Sequence, residues 1–168
     1  MIELERTFLA KSLPDLSNCK KLEIIDIYIP KEREHPNLRI RKIGDKFEMT
    51  KKSPLESDMS EQREFTVPLT EQEFNVLSKL DGKVMHKIRH HFIYNGRLAE
   101  IDVFQDKLKG LIIVDFEFEN EEEKNNFQIP DFCLADITQE VIFAGGMIAG
   151  KSYEDIEEVL KKFGYKKL

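Results

Sequence analysis

The chain has no tryptophan and only two cysteines in 168 residues. Cys19 and Cys133 lie far apart and outside any metal-ligand spacing, which excludes a disulfide framework and a cysteine-built zinc site. Two reduced thiols fit a cytoplasmic protein. Excess positive charge is missing too: the net charge is −6. That argues against a nucleic-acid partner gripped along a broad basic face, yet leaves room for a local basic pocket. No apolar run approaches the roughly 20 residues of a membrane-spanning helix, so no membrane partner is expected. The first residues include Glu3 and Glu5 rather than a basic stretch followed by an apolar one, so no signal peptide is expected. No glycine-rich phosphate loop surrounds Gly145-Gly146, which reads as a turn or a close-packing point.

What is abundant is charge. Asp, Glu, Lys and Arg make up 35% of the residues beside 40% apolar ones, against about a quarter charged in an average domain. This balance fits a folded domain of ordinary size, read as one unit over 1–168. Period-two alternation marks strands at 2–8, 22–29, 38–43, 46–52, 62–67, 84–94, 97–104 and 111–118. Gly44-Asp45 and Asn95-Gly96 supply hairpin turns. Capping pairs open three helices: Thr70 with Glu73, Asn120 with Glu123, and Ser152 with Asp155. The expected class is α+β, mainly β: an eight-stranded antiparallel β-barrel with a few flanking helices.

The polar faces of these strands are sorted by sign. Glu3 and Glu5 share a face of the first strand, Glu100 and Asp102 another, Asp115 and Glu117 a third. Arg39 and Arg41 share a face, as do Lys87, Arg89 and His91; Lys46, Glu48, Thr50 and Lys52 form a mixed one. A solvated sheet face explains any single strand, but like charges side by side repel. Such clusters persist more easily around a ligand of opposite sign. Carboxylates suit Mg²⁺ or Mn²⁺, and Arg suits phosphate. A metal-polyphosphate complex inside a polar barrel would satisfy both. Periodicity alone does not say which face points inward. His90 and His91 point to opposite sides of one strand and cannot chelate one ion together, so a histidine metal site with His86 is not expected. Glu121-Glu122-Glu123 reads as a helix start.

In order and spacing these segments resemble the CYTH, or triphosphate tunnel metalloenzyme, superfamily. The matching runs are Glu3-Leu4-Glu5, Asp26-Ile27-Tyr28, Arg39-Ile40-Arg41, Thr50-Lys51-Lys52, Lys87-Ile88-Arg89, Ile101-Asp102-Val103-Phe104 and Asp115-Phe116-Glu117-Phe118. The resemblance implies a barrel open at its ends, with triphosphate held inside. It implies metal ligation by Glu3, Glu5 and Glu117, with Asp102 and Asp115 at the metal or its waters. Arg39, Arg41, Lys52, Lys87 and Arg89 would grip phosphate, Lys52 and Arg89 serving catalysis as well. Glu5 or Glu64 would orient or deprotonate the water. Thr7 stands where the family has Lys and Thr66 where it has a second acid; by parity Lys46 is the lysine that could compensate. The implied activity is Mg²⁺- or Mn²⁺-dependent hydrolysis of inorganic triphosphate or a related small triphosphate, by a monomer or homodimer. The alternatives are adenylyl cyclase chemistry, or a polyphosphate- or nucleotide-binding module with weak catalysis.

Overall fold

The computed structural model describes residues 2–55 and 58–168. Among these residues nine strands form one antiparallel sheet: β1 (Ile2–Ala10), β2 (Lys20–Ile29), β3 (Leu38–Ile43), β4 (Lys46–Leu55), β5 (Asp58–Leu69), β6 (Lys83–Tyr94), β7 (Arg97–Phe104), β8 (Ile112–Phe118) and β9 (Cys133–Asp136). The sheet order is β5-β4-β3-β2-β6-β7-β8-β1-β9. It closes into an eight-stranded barrel because the start of β1 pairs with β5, Ile2 opposite Arg63 through Leu4 opposite Glu61. The end of the same edge, Phe8 to Ala10, pairs instead with the short β9.

Among the described residues four α-helices flank the barrel: α1 (Glu71–Leu77), α2 (Glu121–Asn126), α3 (Gly145–Ile148) and α4 (Tyr153–Lys162). Complete capping boxes start α1 at Thr70 and α4 at Ser152, because side chain and backbone satisfy each other's orphan donors there. Asn120 accepts from the Glu123 amide at the start of α2. None of the helices among the described residues is long and apolar enough to cross a membrane.

The barrel is inside out relative to a globular core. The apolar strand faces point outward and are covered. Phe8, Ile101, Val114, Phe116 and Phe118 pack beneath Phe127, Phe132 and Leu16. Ile27 and Ile40 pack beneath Phe74 of α1. The charged faces therefore look inward.

One end departs from the open tunnel that the resemblance implied. Inward-facing Leu9, Tyr28, Met85, Phe104 and Ile113 form a single buried cluster with Ile137, Phe143 and Ile148 of the C-terminal segment. Gly145 and Gly146 permit that approach. A Cβ on Gly145 would sit 2.0 Å from the Tyr28 hydroxyl, and one on Gly146 would sit 2.1 Å from the Pro36 carbonyl oxygen. The backbone contact excludes a side chain at position 146, and one at position 145 would have to displace the buried Tyr28 ring. The close-packing reading of this Gly pair therefore holds, and its partners are the ends of β2 and of the β2–β3 loop.

Candidate active site

The barrel encloses a cavity of about 570 Å³. Eleven residues foreseen for the site line it: Glu3, Glu5, Arg39, Arg41, Lys52, Glu64, Lys87, Arg89, Asp102, Asp115 and Glu117. Lys46 does not. It pairs with Ile43 at the tip of the β3–β4 hairpin and is exposed beyond the cavity wall. Parity placed it on the right face of β4, but at the rim.

Arg39 and Arg41 of β3 and Lys87 and Arg89 of β6 lie on strands that both flank β2. Alternation then sends all four side chains inward. Asp26, fully buried on β2, accepts from Arg41 Nε at 2.6 Å and Nη2 at 2.9 Å. Burial alone would raise the Asp26 carboxyl; the Arg41 guanidinium more than offsets this and holds it far below the usual range. Asp102 does the same work on the other side. Arg89 Nε and Nη2 each donate to it at 2.7 Å, and Lys87 donates to Oδ2. Both Asp102 oxygens are thus engaged by cations, which separates this residue from the open carboxylates. Lys87 is pushed down by its own burial, with Asp102 opposing and Arg89 and Arg41 reinforcing the shift. Asp102 faces two cations at once and is lowered as a result, despite the cost of burial.

The acidic wall comes from the neighbouring strands β1, β7 and β8. Glu5 is in register with Glu117, and Glu100 with Asp115. Burial, then the nearby Asp102 and Glu5 carboxylates, push Asp115 up to about 7. Burial, then Glu100 and Glu3, raise Glu117. Lys52 reaches across from β4 to Glu3 at 2.8 Å and Glu5 at 2.9 Å. Among the described residues no three such side chains converge into a ready cation cage. The donor set is nonetheless oxygen-only and crowded with negative charge, which fits a hard divalent ion.

Thr7 donates its hydroxyl to Asp115 Oδ1 at 2.7 Å. Its amide donates to Thr138 Oγ1 at 3.0 Å. The position that carries Lys in the resembled family is here a neutral tether on an acid. Thr66 bonds Glu64 at 2.7 Å and Thr50 at 3.0 Å. Arg39 stands apart from the other cations. Its nearest polar partner is the Tyr28 hydroxyl at 3.4 Å, and its buried Nε has no hydrogen-bond partner. A buried donor without an acceptor is costly, so this atom marks where an anion is called for.

Sequence reasoning assigned no role to Asp26, Tyr28, Glu100 or Thr138. The signal for Asp26 was present: a lone acid within Ile24-Ile25-Asp26-Ile27 must be buried with a cation. His86, Glu121, Glu122 and Glu123 lie outside the lining of this cavity.

No family profile matches the chain. It is similar to an inorganic triphosphatase of Nitrosomonas europaea, at 29% identity over 142 residues, 83% of this chain and 91% of the relative. It is also similar to an inorganic triphosphatase of Acetivibrio thermocellus, at 22% identity over 93% of this chain and 98% of the relative. A solved inorganic triphosphatase superposes with a TM-score of 0.65 at 23% identity, covering 89% of this chain and 95% of that one. The chain thus shares with that solved inorganic triphosphatase the fold of a closed eight-stranded barrel, and here its charged faces turn inward as opposed acidic and basic walls.

Proposed function

We propose that this protein hydrolyses inorganic triphosphate, or a closely related small triphosphate, inside the barrel with Mg²⁺ or Mn²⁺. The observation that carries this reading is a single cavity with a basic wall facing an acidic one. The relatives named as inorganic triphosphatases support it. Two unpaired thiols support a reducing, cytoplasmic setting.

Arg39, Arg41, Lys87 and Arg89 bind the phosphate oxygens, and Lys52 does so once drawn away from Glu3 and Glu5. Asp26 and Asp102 act as positioning residues: they fix the guanidinium and ammonium groups before substrate arrives, so little reorganisation remains for the transition state. Glu3, Glu5 and Glu117, with Asp115 beside them, would hold the divalent ion. When bound, that ion supplies positive charge to the phosphate oxygens and neutralises charge developing on the leaving group. Glu5 or Glu64 orients the attacking water and takes its proton. Thr7 holds Asp115 in place and contributes no charge.

A combined Glu3→Gln, Glu5→Gln variant tests the acidic wall. Titrating Mn²⁺ or Mg²⁺ into protein and following the melting temperature should show metal stabilisation in the wild type. In the variant, the metal concentration for half-maximal stabilisation should rise by about ten-fold or more, in line with losing carboxylates around a metal. Unchanged metal affinity would remove these two residues from the site.

A further inference from the structure

The first strand is incompletely paired where it carries the acidic wall. On one side β1 pairs with β8 from Leu4 to Leu9. On its other side it pairs with β5 only over Ile2–Leu4 and with β9 only over Phe8–Ala10. Among the described residues no strand pairs with Glu5, Arg6 or Thr7 on that side. The segment Asp136-Ile137-Thr138, where β9 ends, takes the place of a strand. The Ile137 amide donates to the Thr7 carbonyl at 2.8 Å, and the Thr7 amide donates to Thr138 Oγ1 at 3.0 Å. A side-chain hydroxyl thus accepts the bond that a strand carbonyl would otherwise take.

That segment is itself held firmly. Asp136 Oδ1 accepts from the Thr138 amide at 2.9 Å and from the Thr138 hydroxyl. The hydroxyl's one proton is spent on Asp136, so its oxygen is left to the Thr7 amide. Asp136 Oδ2 accepts from Arg6 Nε at 3.0 Å and Nη2 at 2.6 Å, and Arg6 Nη1 reaches the Phe127 carbonyl at 2.9 Å. Arg6 and Thr7, on opposite faces of β1, are therefore tied to the same three residues. With amide and carbonyl both bonded, and χ1 stiffened by β-branching, Thr7 has little freedom. Its hydroxyl donates to Asp115 Oδ1 at 2.7 Å, while Asp115 Oδ2 lies 3.8 Å from Arg89 Nη2.

We propose that Thr138 is a positioning residue for the acidic wall: through the Thr7 backbone it aims the Thr7 hydroxyl at Asp115, fixing that carboxylate for a divalent ion. This rests on the metal-dependent triphosphatase reading for the ion that Asp115 serves. The basic wall is fixed by carboxylates that pair with its cations. The acidic wall needs a different device, because a cation that fixed Asp115 would also cancel its charge. A neutral hydroxyl fixes one oxygen and leaves the charge available to a hard cation.

Calorimetric titration of Mn²⁺ into the full chain, without substrate, tests the relay. Thr138→Val keeps the shape and removes the acceptor, and should weaken Mn²⁺ binding by about ten-fold, the size of losing a group that orients a metal ligand. Thr138→Ser should restore it to within about two-fold. Thr7→Val should also cost about ten-fold, and adding Thr138→Val to it should cost less than about two-fold more, since Thr138 acts through the Thr7 hydroxyl. The Kd for inorganic triphosphate in chelator should move by less than about two-fold in Thr138→Val, because Asp26 and Asp102 hold the basic wall separately. Unchanged Mn²⁺ affinity in Thr138→Val, no rescue by Thr138→Ser, multiplied losses in the double variant, or equal weakening of triphosphate would overturn the relay. Unchanged Mn²⁺ affinity in Thr7→Val overturns it whether or not Thr138→Val folds. A wild type that binds no Mn²⁺ overturns the metal-dependent reading itself, an outcome distinct from failure of the relay.

Discussion

Asp102→Ala is expected to destabilise the fold by about 3–5 kcal/mol, the range for removing one partner of a buried ion pair. Asp102 is 1% exposed and Lys87 is 6% exposed. The substitution would leave Lys87 and Arg89 facing each other with their main counter-ion gone, although Glu100 would retain one contact to Arg89. Urea unfolding measures the loss. Asp102→Asn should cost less, because an amide still accepts one hydrogen bond. The pH dependence has a definite sign. The folded-state carboxyl is depressed by Arg89 and Lys87. Its contribution is therefore full above the unfolded value of about 3.9 and fades as pH falls below it. The gap between wild type and Asp102→Asn should narrow on acidification. A gap that widens as pH falls would show that Asp102 is not held as a carboxylate.

Arg39→Ala should behave in the opposite way: near-wild-type stability with kcat/KM for triphosphate reduced by about 10²-fold, as expected when charged hydrogen bonds to substrate are lost. Arg39 makes no ion pair within 4 Å among the described residues, and buried Asp26, whose charge it helps to stabilise, keeps its direct pair with Arg41 when Arg39 is removed. It even relieves a buried donor that lacks an acceptor. Arg39→Lys should recover part of the loss, because charge survives while the planar two-point grip does not. A large fall in stability with unchanged kinetics would make Arg39 a structural residue.

This contrast shows what could be read from the chain. Alternation located the eight barrel strands, and sign sorting grouped nearly all of the lining charges. Arg39 and Arg41, or Glu3 and Glu5, are visible as pairs because strand geometry alone fixes their common face. Which face turned inward was not legible locally. It depends on sheet closure through a few pairs between β1 and β5, and on what covers the outer Phe and Ile side chains. Lys46 shows the limit of parity: the correct face of a strand still reaches past the rim. Asp102 shows another. An acid within a family motif suggests a metal ligand, and nothing local to it shows that its two oxygens also meet Lys87 and Arg89. The apolar plug was hidden because it belongs to a cluster that joins residues from 9 to 165. β9 was hidden because four residues are too few to display a period. Thr7 was recognised as a departure, but its bond to Asp115 required the register of β1 against β8.

The central claim is that opposed walls of one tunnel bring a metal and a triphosphate together for hydrolysis. Phosphate release from inorganic triphosphate by the wild-type protein tests this most directly, with Mg²⁺ or Mn²⁺ present and again in excess chelator. Release that requires either ion and stops in chelator is the predicted result. No release with either ion, or release unaffected by chelator, would contradict it.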